Sequence, residues 1–584
     1  MKNNIKIKIL FALFTSFGIM SCNKVLDKTN LTAIDPNTVW SNPNIATAYL
    51  NNLYASVMPG NTYGSANGTD EGVAYQHQTN NWLLGTATFD SRNDFSQYNN
   101  IRSANTILDN IDKATFDQTS KNNIKGQALF WRAWIYYGLV HNYGGVPLIL
   151  HAQSPTSDLS KLDLPRSKTS DCVKQILSDL DSATLLLPES WSGNDLGRID
   201  KGASMAFKGR VLNFFASPLF NGVNGTVTWQ MAYDANLAAK NYLDAHGKGL
   251  FSPYKQIWGI GPSAINSEYV MFHFFHYPEA TYFQGGLVPL NWSKDDVGYD
   301  RPSLELVNAF PMKDGSAWNA QARIYDTLFK SRDDRFYADI YYNGDPYQYI
   351  QGMQASNTYL WTYFDKVTDY NSNVGITGQH NQVTSDPLWS NSSFYRIKAI
   401  DPNINVGWVY NAAVNWIEIR YAEVLMNYGE AANEIGKTNE ALSVLYQVRQ
   451  RAGVLPGATS NYGITASSQS DIRTVYQNER FVEFCFENKR WDDLRRWKLF
   501  GYMRSLPQRH GIGIELKAGY PDVQPLDDIN AIWNHFTYTV MPTDQSDILL
   551  PDQYYIYGIP KAVTDRNPQI QQNNNWGGNF DPLQ

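Results

Sequence analysis

The stretch NERFVEFCFENKRWDDLRRW, residues 478–497, packs acids, bases and aromatic rings together more densely than any other part of the chain. Such residue types suit three different roles: a catalytic pair, a nucleic-acid grip, or the glue of a helical fold. From Asn478 to Lys498 there are six basic and five acidic residues, a net charge of +1. A nucleic-acid site needs a basic field that displaces counterions, and this one cancels itself. Glu479, Glu483 and Glu487 stand four apart, which on a helix sets them in one row. Glycoside hydrolysis needs two acids facing each other about 5–9.5 Å apart, and one row does not supply that. Asp492 precedes Arg495 and Arg496 in the order that favours pairing along a helix. Trp491, Leu494 and Trp497 recur every three residues as an inward stripe. The stretch reads as structural, so function has to be sought elsewhere.

Length allows two to four domains and a large core. With 48 basic and 55 acidic residues among 584, the formal charge is −7, which argues against general nucleic-acid binding. Aromatics make up 14 %, with 37 Tyr and 17 Trp. Many lie beside Asn, Gln, Gly and Asp, a pattern of presented rings more than of core filling. At the N-terminus Lys2, Lys6 and Lys8 precede the apolar run ILFALFTSFGIM. At ~1.5 Å per residue it spans about 18 Å, short of the roughly 30 Å hydrocarbon core, and fits a secretory signal. The run ends at Ile19-Met20-Ser21-Cys22, which resembles the lipobox of bacterial lipoproteins. Residues 1–21 are therefore expected to be a lipoprotein signal peptide, with Cys22 lipidated and the rest tethered to the membrane, not embedded. Cys172 and Cys485 are too few for a disulfide framework and are expected as two separate buried thiols.

Helical periodicity recurs at 42–58, 95–111, 122–145, 169–187, 202–217, 230–246, 416–435, 438–452, 471–487 and 490–499. In LMNYGEAANEIGKTNEALSVL (425–445), Gly429, Ala431, Gly436 and Ala441 occupy the small-residue positions of a tetratricopeptide helix-turn-helix. Taken in order, the helices predict four pairs: 42–58 with 95–111, 122–143 with 169–187, 202–217 with 230–246, and 416–435 with 438–452. Between 247 and 410 short β-like runs such as EYVMFHFFHY and FYADIYYNG sit among loop-forming residues. Residues 501–552 show little periodicity. The fold class is thus mostly α, a tetratricopeptide-like scaffold of four helical pairs against a loop-rich region with a few short strands. GEAANEIGKT has the wrong glycine spacing for a phosphate loop and no preceding strand. His273 and His276 would point to opposite faces of a strand, and no HExxH, CxxC or G-x-S-x-G occurs.

With these elements placed, the chain resembles the SusD-like (RagB/SusD) family of outer-membrane lipoproteins. NERFVEFCFENKRWDDLRRWKLF is similar to the family's Asn-Glu-Arg helix followed by Arg-Trp-x-Asp-Leu-x-Arg-Trp, with Asn488 where Gly is usual. Asn tolerates a left-handed helix end. GQALFWRAWIYYGLVHNYGGVPLI, DKGASMAFKGRVLNFFASPLFNG and IEIRYAEVLMNYGEAANEIGKTNEALSVLYQVRQRAGV resemble further family blocks. So do CNKVLD and the tail YYIYGIPKAVTDRNPQIQQNNNW, in which Gly558 replaces a common Pro. The resemblance implies a single domain over 22–584. Its helical-pair scaffold would cover about 42–246 and 416–452, its variable ligand-facing region about 60–94 and 247–410, and its C-terminal region 471–584. It implies a binding protein, not an enzyme, without cofactor or metal and without nucleic-acid partners. It implies glycan cargo and a SusC-like TonB-dependent transporter for which the protein acts as lid. Peptide cargo and, further off, a glycan-degrading enzyme are the alternatives.

A pyranose ring has apolar faces and a polar rim, so its site needs flat aromatic rings edged by amides and carboxylates. The family draws its ligand surface from the loop between the first two helices and from the middle region. That selects Trp82 with Asn81 in TNNWLLG, Trp292 with Tyr299 in PLNWSKDDVGYD, and Trp361 with Tyr363 in YLWTYF. Each also reads as a loop anchor packed down on the scaffold.

Overall fold

A computed structural model describes residues 36–61, 65–74, 79–154, 162–288, 300–318, 329–351, 354–363, 392–521, 523 and 527–584. The signal segment and Cys22 lie outside them.

The four pairs are formed by α1 (Pro43–Val57) and α2 (Tyr98–Ile111), α3 (Gln118–Tyr143) and α4 (Thr169–Leu186), α5 (Lys201–Ala216) and α6 (Trp229–Ala245), and α7 (Tyr421–Glu434) and α8 (Thr438–Arg451). Local chemistry starts and stops them. Asp117, Asp200 and Thr228 accept a backbone N–H at the starts of α3, α5 and α6. Gly144, at φ +74°, ends α3 in a conformation that side chains resist. Partners pack within pairs, and α2 on α3, α4 on α5 and α6 on α7 join one pair to the next. Gly436 makes the α7–α8 turn at φ +84°. A Cβ on Gly429 would sit 2.9 Å from Val444 and collide with Tyr476, so the expected small residue lets the two helices cross. One continuous apolar cluster fills the scaffold, with Phe207 against Trp134 at 4.7 Å and Tyr137 at 5.3 Å. Among the described residues no helix is long and apolar enough to cross a membrane. Cys172 and Cys485 are buried and unpaired with each other.

Three stretches depart from the sequence reading. Trp416–Arg420 is a strand, not the first turn of α7; its Ile417 and Ile419 suit the pleat, and it pairs antiparallel with Tyr269–His273. FYADIYYNG begins as a short helix, Asp334–Asp339, started by the Asp333 carboxylate, with only Ile340–Tyr341 extended. Residues 501–552 contain an antiparallel pair, His510–Leu516 with Phe536–Pro542, whose Ile512 and Ile514 are buried. Each of the sheets among the described residues has two strands.

The 478–497 stretch joins the scaffold to the rest. α9 (Gln469–Glu483) packs on α7 and α8 and stops at Glu483; Phe486 and Asn488 both turn left-handed, at φ +59°, before α10 (Arg490–Arg496). Asn488 therefore serves the conformation expected of it. Glu479 pairs with Arg335 at 2.7 Å and Arg449 at 2.8 Å. Glu483 meets Arg335 at 2.8 Å and Arg420 at 2.6 Å, and also Arg451. Glu487 meets Arg420 at 2.8 Å and Lys398 at 2.7 Å. Burial pushes the Glu483 carboxyl up, and Arg451, Arg420 and Arg335 more than reverse it, holding it below the usual range. One row of acids thus fastens α8, the strand before α7 and two points of the middle region. Arg496 bonds Glu430 at 2.6 Å and Asp493 at 2.7 Å, while Asp492 reaches Arg495 at 3.4 Å; the expected Asp492–Arg496 pair is replaced because Arg496 faces inward. Removing one partner from such a buried pair costs about 3–5 kcal/mol.

Candidate ligand platform

After Tyr269–His273 the chain makes a small hairpin, with His276 and Ala280 exchanging backbone hydrogen bonds of 2.7 and 2.8 Å. Tyr282 and Ala412 exchange bonds of 2.9 and 3.1 Å and the Gln284 N–H bonds the Val409 carbonyl at 2.9 Å, so 282–284 runs antiparallel to 409–412. Two amides fix this frame. The Gln284 side chain donates to the Asp401 carbonyl at 2.9 Å and accepts the Asp401 N–H at 3.0 Å. Asn405 accepts the Gly407 N–H at 2.9 Å and so starts the 3₁₀ turn Val406–Asn411. Beneath lies an apolar cluster that includes Val288, Tyr341, Leu360, Ile404, Val409 and Ala412.

Above this support the sequence NVGWVYN (405–411) leaves its rings outside. Trp408 is 50 % exposed, Tyr410 53 % and Tyr277 56 %. Tyr277 meets Trp408 edge-on at 5.4 Å, and Phe283 stacks on Tyr410 at 4.6 Å. His276 and Glu279 pair at 3.4 Å at one edge, and exposed Asn403 and half-buried Asn405 and Asn411 lie at the other segment. Burial raises the Asp401 carboxyl. The first variable loop borders the platform, since the His273 ring bonds the Pro59 carbonyl at 3.1 Å and Gly60 lies against Phe275. Exposed, mutually braced aromatic rings edged by amides can stack on apolar ring faces and bond hydroxyls.

The residues singled out in the sequence are placed as follows. Asn80 accepts the Trp82 N–H at 2.9 Å, and the half-buried Trp82 ring packs on Tyr557 at 4.8 Å, Tyr554 at 5.0 Å and Trp491 at 6.4 Å. Its ring partners come from α10 and the C-terminal segment. Asn81 is exposed, its carbonyl accepting from Thr86 and Ala87. Trp361 and Tyr363 are corrected: at 1 % and 0 % exposure they are core, with Phe536 at 6.2 and 5.2 Å, because the strand end turns both rings inward. Trp292 and Tyr299 lie outside the described residues; the flanking Val288 belongs to the cluster under the platform. Trp408 and Tyr410 were legible as loop aromatics between Gly and Asn, but nothing in the sequence said that 276–284 would brace them.

The charged cleft beside the 478–497 stretch, about 200 Å³ and lined in part by Trp134, His141, Arg210, Glu418 and Asp492, is not a poised acid–base site. Burial raises Glu423 there, and Arg210 and Lys489 outweigh it and hold the carboxyl at about 2. Lys489 bonds Glu418 at 3.0 Å. Among the described residues no three His, Cys, Asp or Glu gather to hold a metal ion.

The fold and this surface define a class: a helical-pair protein that presents exposed aromatic rings at its loop-rich side. Residues 262–576, more than half of the chain, match the model of the SusD family, and residues 24–212 match a family described as starch-binding and associating with the outer membrane. The chain belongs to the SusD family, whose members are binding proteins and not enzymes. Relatives include SusD-like protein P2 of Formosa agariphila, 25 % identical over 68 % of this chain and 70 % of that one. SusD-like protein P38 of the same organism is 22 % identical over 85 % and 92 %. A solved SusD-like protein of Bacteroides fragilis superposes with a TM-score of 0.71 at 23 % identity, covering 92 % of this chain and 98 % of that one. A SusD-like carbohydrate binding protein from the same organism gives 0.69 at 18 % identity, covering 91 % and 99 %. The match to the outer-membrane model makes this a carbohydrate-binding, outer-membrane-associated type of protein.

Proposed function

We propose that the protein captures glycans on the Tyr277–Trp408 and Phe283–Tyr410 platform and passes them to a SusC-like TonB-dependent transporter, for which it acts as lid. The carrying observation is that Tyr277, Trp408 and Tyr410 stand exposed on a frame fixed by Gln284 and Asn405. Lipidation at Cys22 would hold the platform at the outer membrane, and Trp292 and Tyr299 are proposed as further ligand contacts. The name of the Bacteroides fragilis carbohydrate binding protein supports the cargo class. Two or three stacked rings at ~0.5–1.5 kcal/mol each beyond burial, set against association costs, give Kd values from roughly tens of micromolar to millimolar. Such weak binding suits a lid that must release its cargo. The test is titration of the protein with a panel of plant, algal, fungal and host glycans, with reducing ends monitored in the same samples. Binding without release of reducing ends supports capture. Binding of peptides alone, or release of new reducing ends, overturns the reading.

A further inference from the structure

The clamp also holds one buried lysine, Lys398, whose ammonium donates to the Glu483 carbonyl at 2.9 Å and faces a carboxylate outside the row of acids. Lys398 is wholly buried, its ammonium 4.8 Å from the centre of the Trp258 ring and 5.3 Å from that of Tyr254. Its Nζ lies 3.7 Å from Asp339 Oδ2 and 2.7 Å from Glu487 Oε1. Backbone pairing sets Asp339 and Lys398 side by side: Ile340–Tyr341 pairs with Tyr395–Arg396, and the Ile397 N–H bonds the Asp339 carbonyl at 2.9 Å. The Asp339 carboxyl is polarised on one oxygen only. Tyr254 donates to Oδ2 at 3.0 Å and the Cys485 thiol at 3.3 Å, while buried Oδ1 has no partner. A lysine, an aspartate activated at one oxygen and a glutamate bonded to the amine, enclosed by aromatic rings, are the components of a condensation.

We propose that Lys398 and Asp339 join in an intramolecular isopeptide bond, with Glu487 as proton carrier. The bond formed is Nζ–Cγ and the bond broken is Cγ–Oδ1. Two protons leave the ammonium, the first to Glu487 Oε1 at 2.7 Å, and both end on Oδ1, which departs as water; the third stays on the amide nitrogen. Charge building on Oδ2 as nitrogen attacks is met by the Tyr254 hydroxyl and the Cys485 thiol. Atoms and charge balance, and no oxidant takes part. Burial presses Lys398 towards the neutral amine, but Asp339 and Glu487 outweigh it and keep the resting nitrogen charged, so the nitrogen must lose a proton before it attacks. Burial also raises the Asp339 carboxyl, to about 6, into the range where it accepts a proton readily.

The bond would close residues 340–397 into a covalent ring directly before the platform turn at 401–411. A cross-link of this kind acts as a disulfide does, by restricting the unfolded chain, and here the two described thiols are not joined to each other. The proposal is independent of what the platform binds.

The experiment is peptide mapping of the denatured full-length chain by trypsin and tandem mass spectrometry, on fresh and on aged protein. The expected result is a species joining the Asp339 and Lys398 peptides, lighter than their sum by one water and uncut after Lys398. Asp339→Asn should give the same joined species with loss of ammonia instead, and Lys398→Arg should abolish it. Recovery of the linear peptides alone from aged wild-type protein, with cleavage after Lys398, overturns the proposal even if neither variant folds. Persistence of the joined mass in Lys398→Arg also overturns it.

Discussion

The 478–497 clamp and the 276–284/405–411 platform reverse the usual partition of side chains. In the clamp, Glu479, Glu483 and Glu487 are buried among arginines; in the platform, Trp408, Tyr410 and Tyr277 are left in water. A buried charge needs every neighbour in place, so the clamp is rigid and specifies how elements meet. Exposed rings gain little from the fold, so what holds them there is the frame beneath, and the proposed use for them is a ligand. Charge density marked structure here, and aromatic exposure marks the surface proposed for function.

Five experiments press on that contrast, in descending size of effect. Glu483→Ala removes one buried partner each from Arg420, Arg335 and Arg451 and is expected to cost about 3–5 kcal/mol in chemical unfolding, with glycan affinity of the folded fraction unchanged. Trp361→Ala should cost a similar ~3–5 kcal/mol by leaving a cavity beside Phe536, without changing affinity. Acid should act on the clamp first. The folded-state pKa values of Glu479, Glu483 and Glu487 are depressed by their arginines and, for Glu487, also by Lys398. Their stabilisation is therefore complete above the unfolded value of about 4.3 and is lost as pH falls below it, which thermal melts across that range would read. Trp408→Ala should weaken glycan binding by about tenfold, on the order of 1.4 kcal/mol, and leave the melting temperature unchanged. Tyr277→Ala, which removes a smaller ring from the same pair, should weaken it only a few-fold.

The scaffold was legible because its signals are local. Period-3.6 stripes, capping residues and the small residues at Gly429 and Gly436 each act within a turn or two, and the helices appeared where those signals lay. Trp416–Arg420 was lost because its partner strand, Tyr269–His273, is remote in sequence and supplies half of the reason it is extended. The same holds for the ligand surface. Trp361 and Tyr363 looked like Trp408 and Tyr410, each a Trp-x-Tyr in a polar segment, and only tertiary packing against Phe536 turns the first pair inward. The row of clamp acids was visible as a row, but its partners at Arg335, Lys398, Arg420 and Arg449 come from four separate segments.

The most direct measurement compares Trp408→Ala with Trp82→Ala by calorimetric titration against a glycan that the wild-type protein binds, with unfolding followed on the same samples. Trp408→Ala is expected to lose about tenfold in affinity at unchanged stability, while Trp82→Ala, whose ring packs on Tyr554 and Tyr557, keeps its affinity and loses roughly 2 kcal/mol of stability. Full affinity in Trp408→Ala together with lost binding in Trp82→Ala would contradict the platform and move the ligand surface to the first loop.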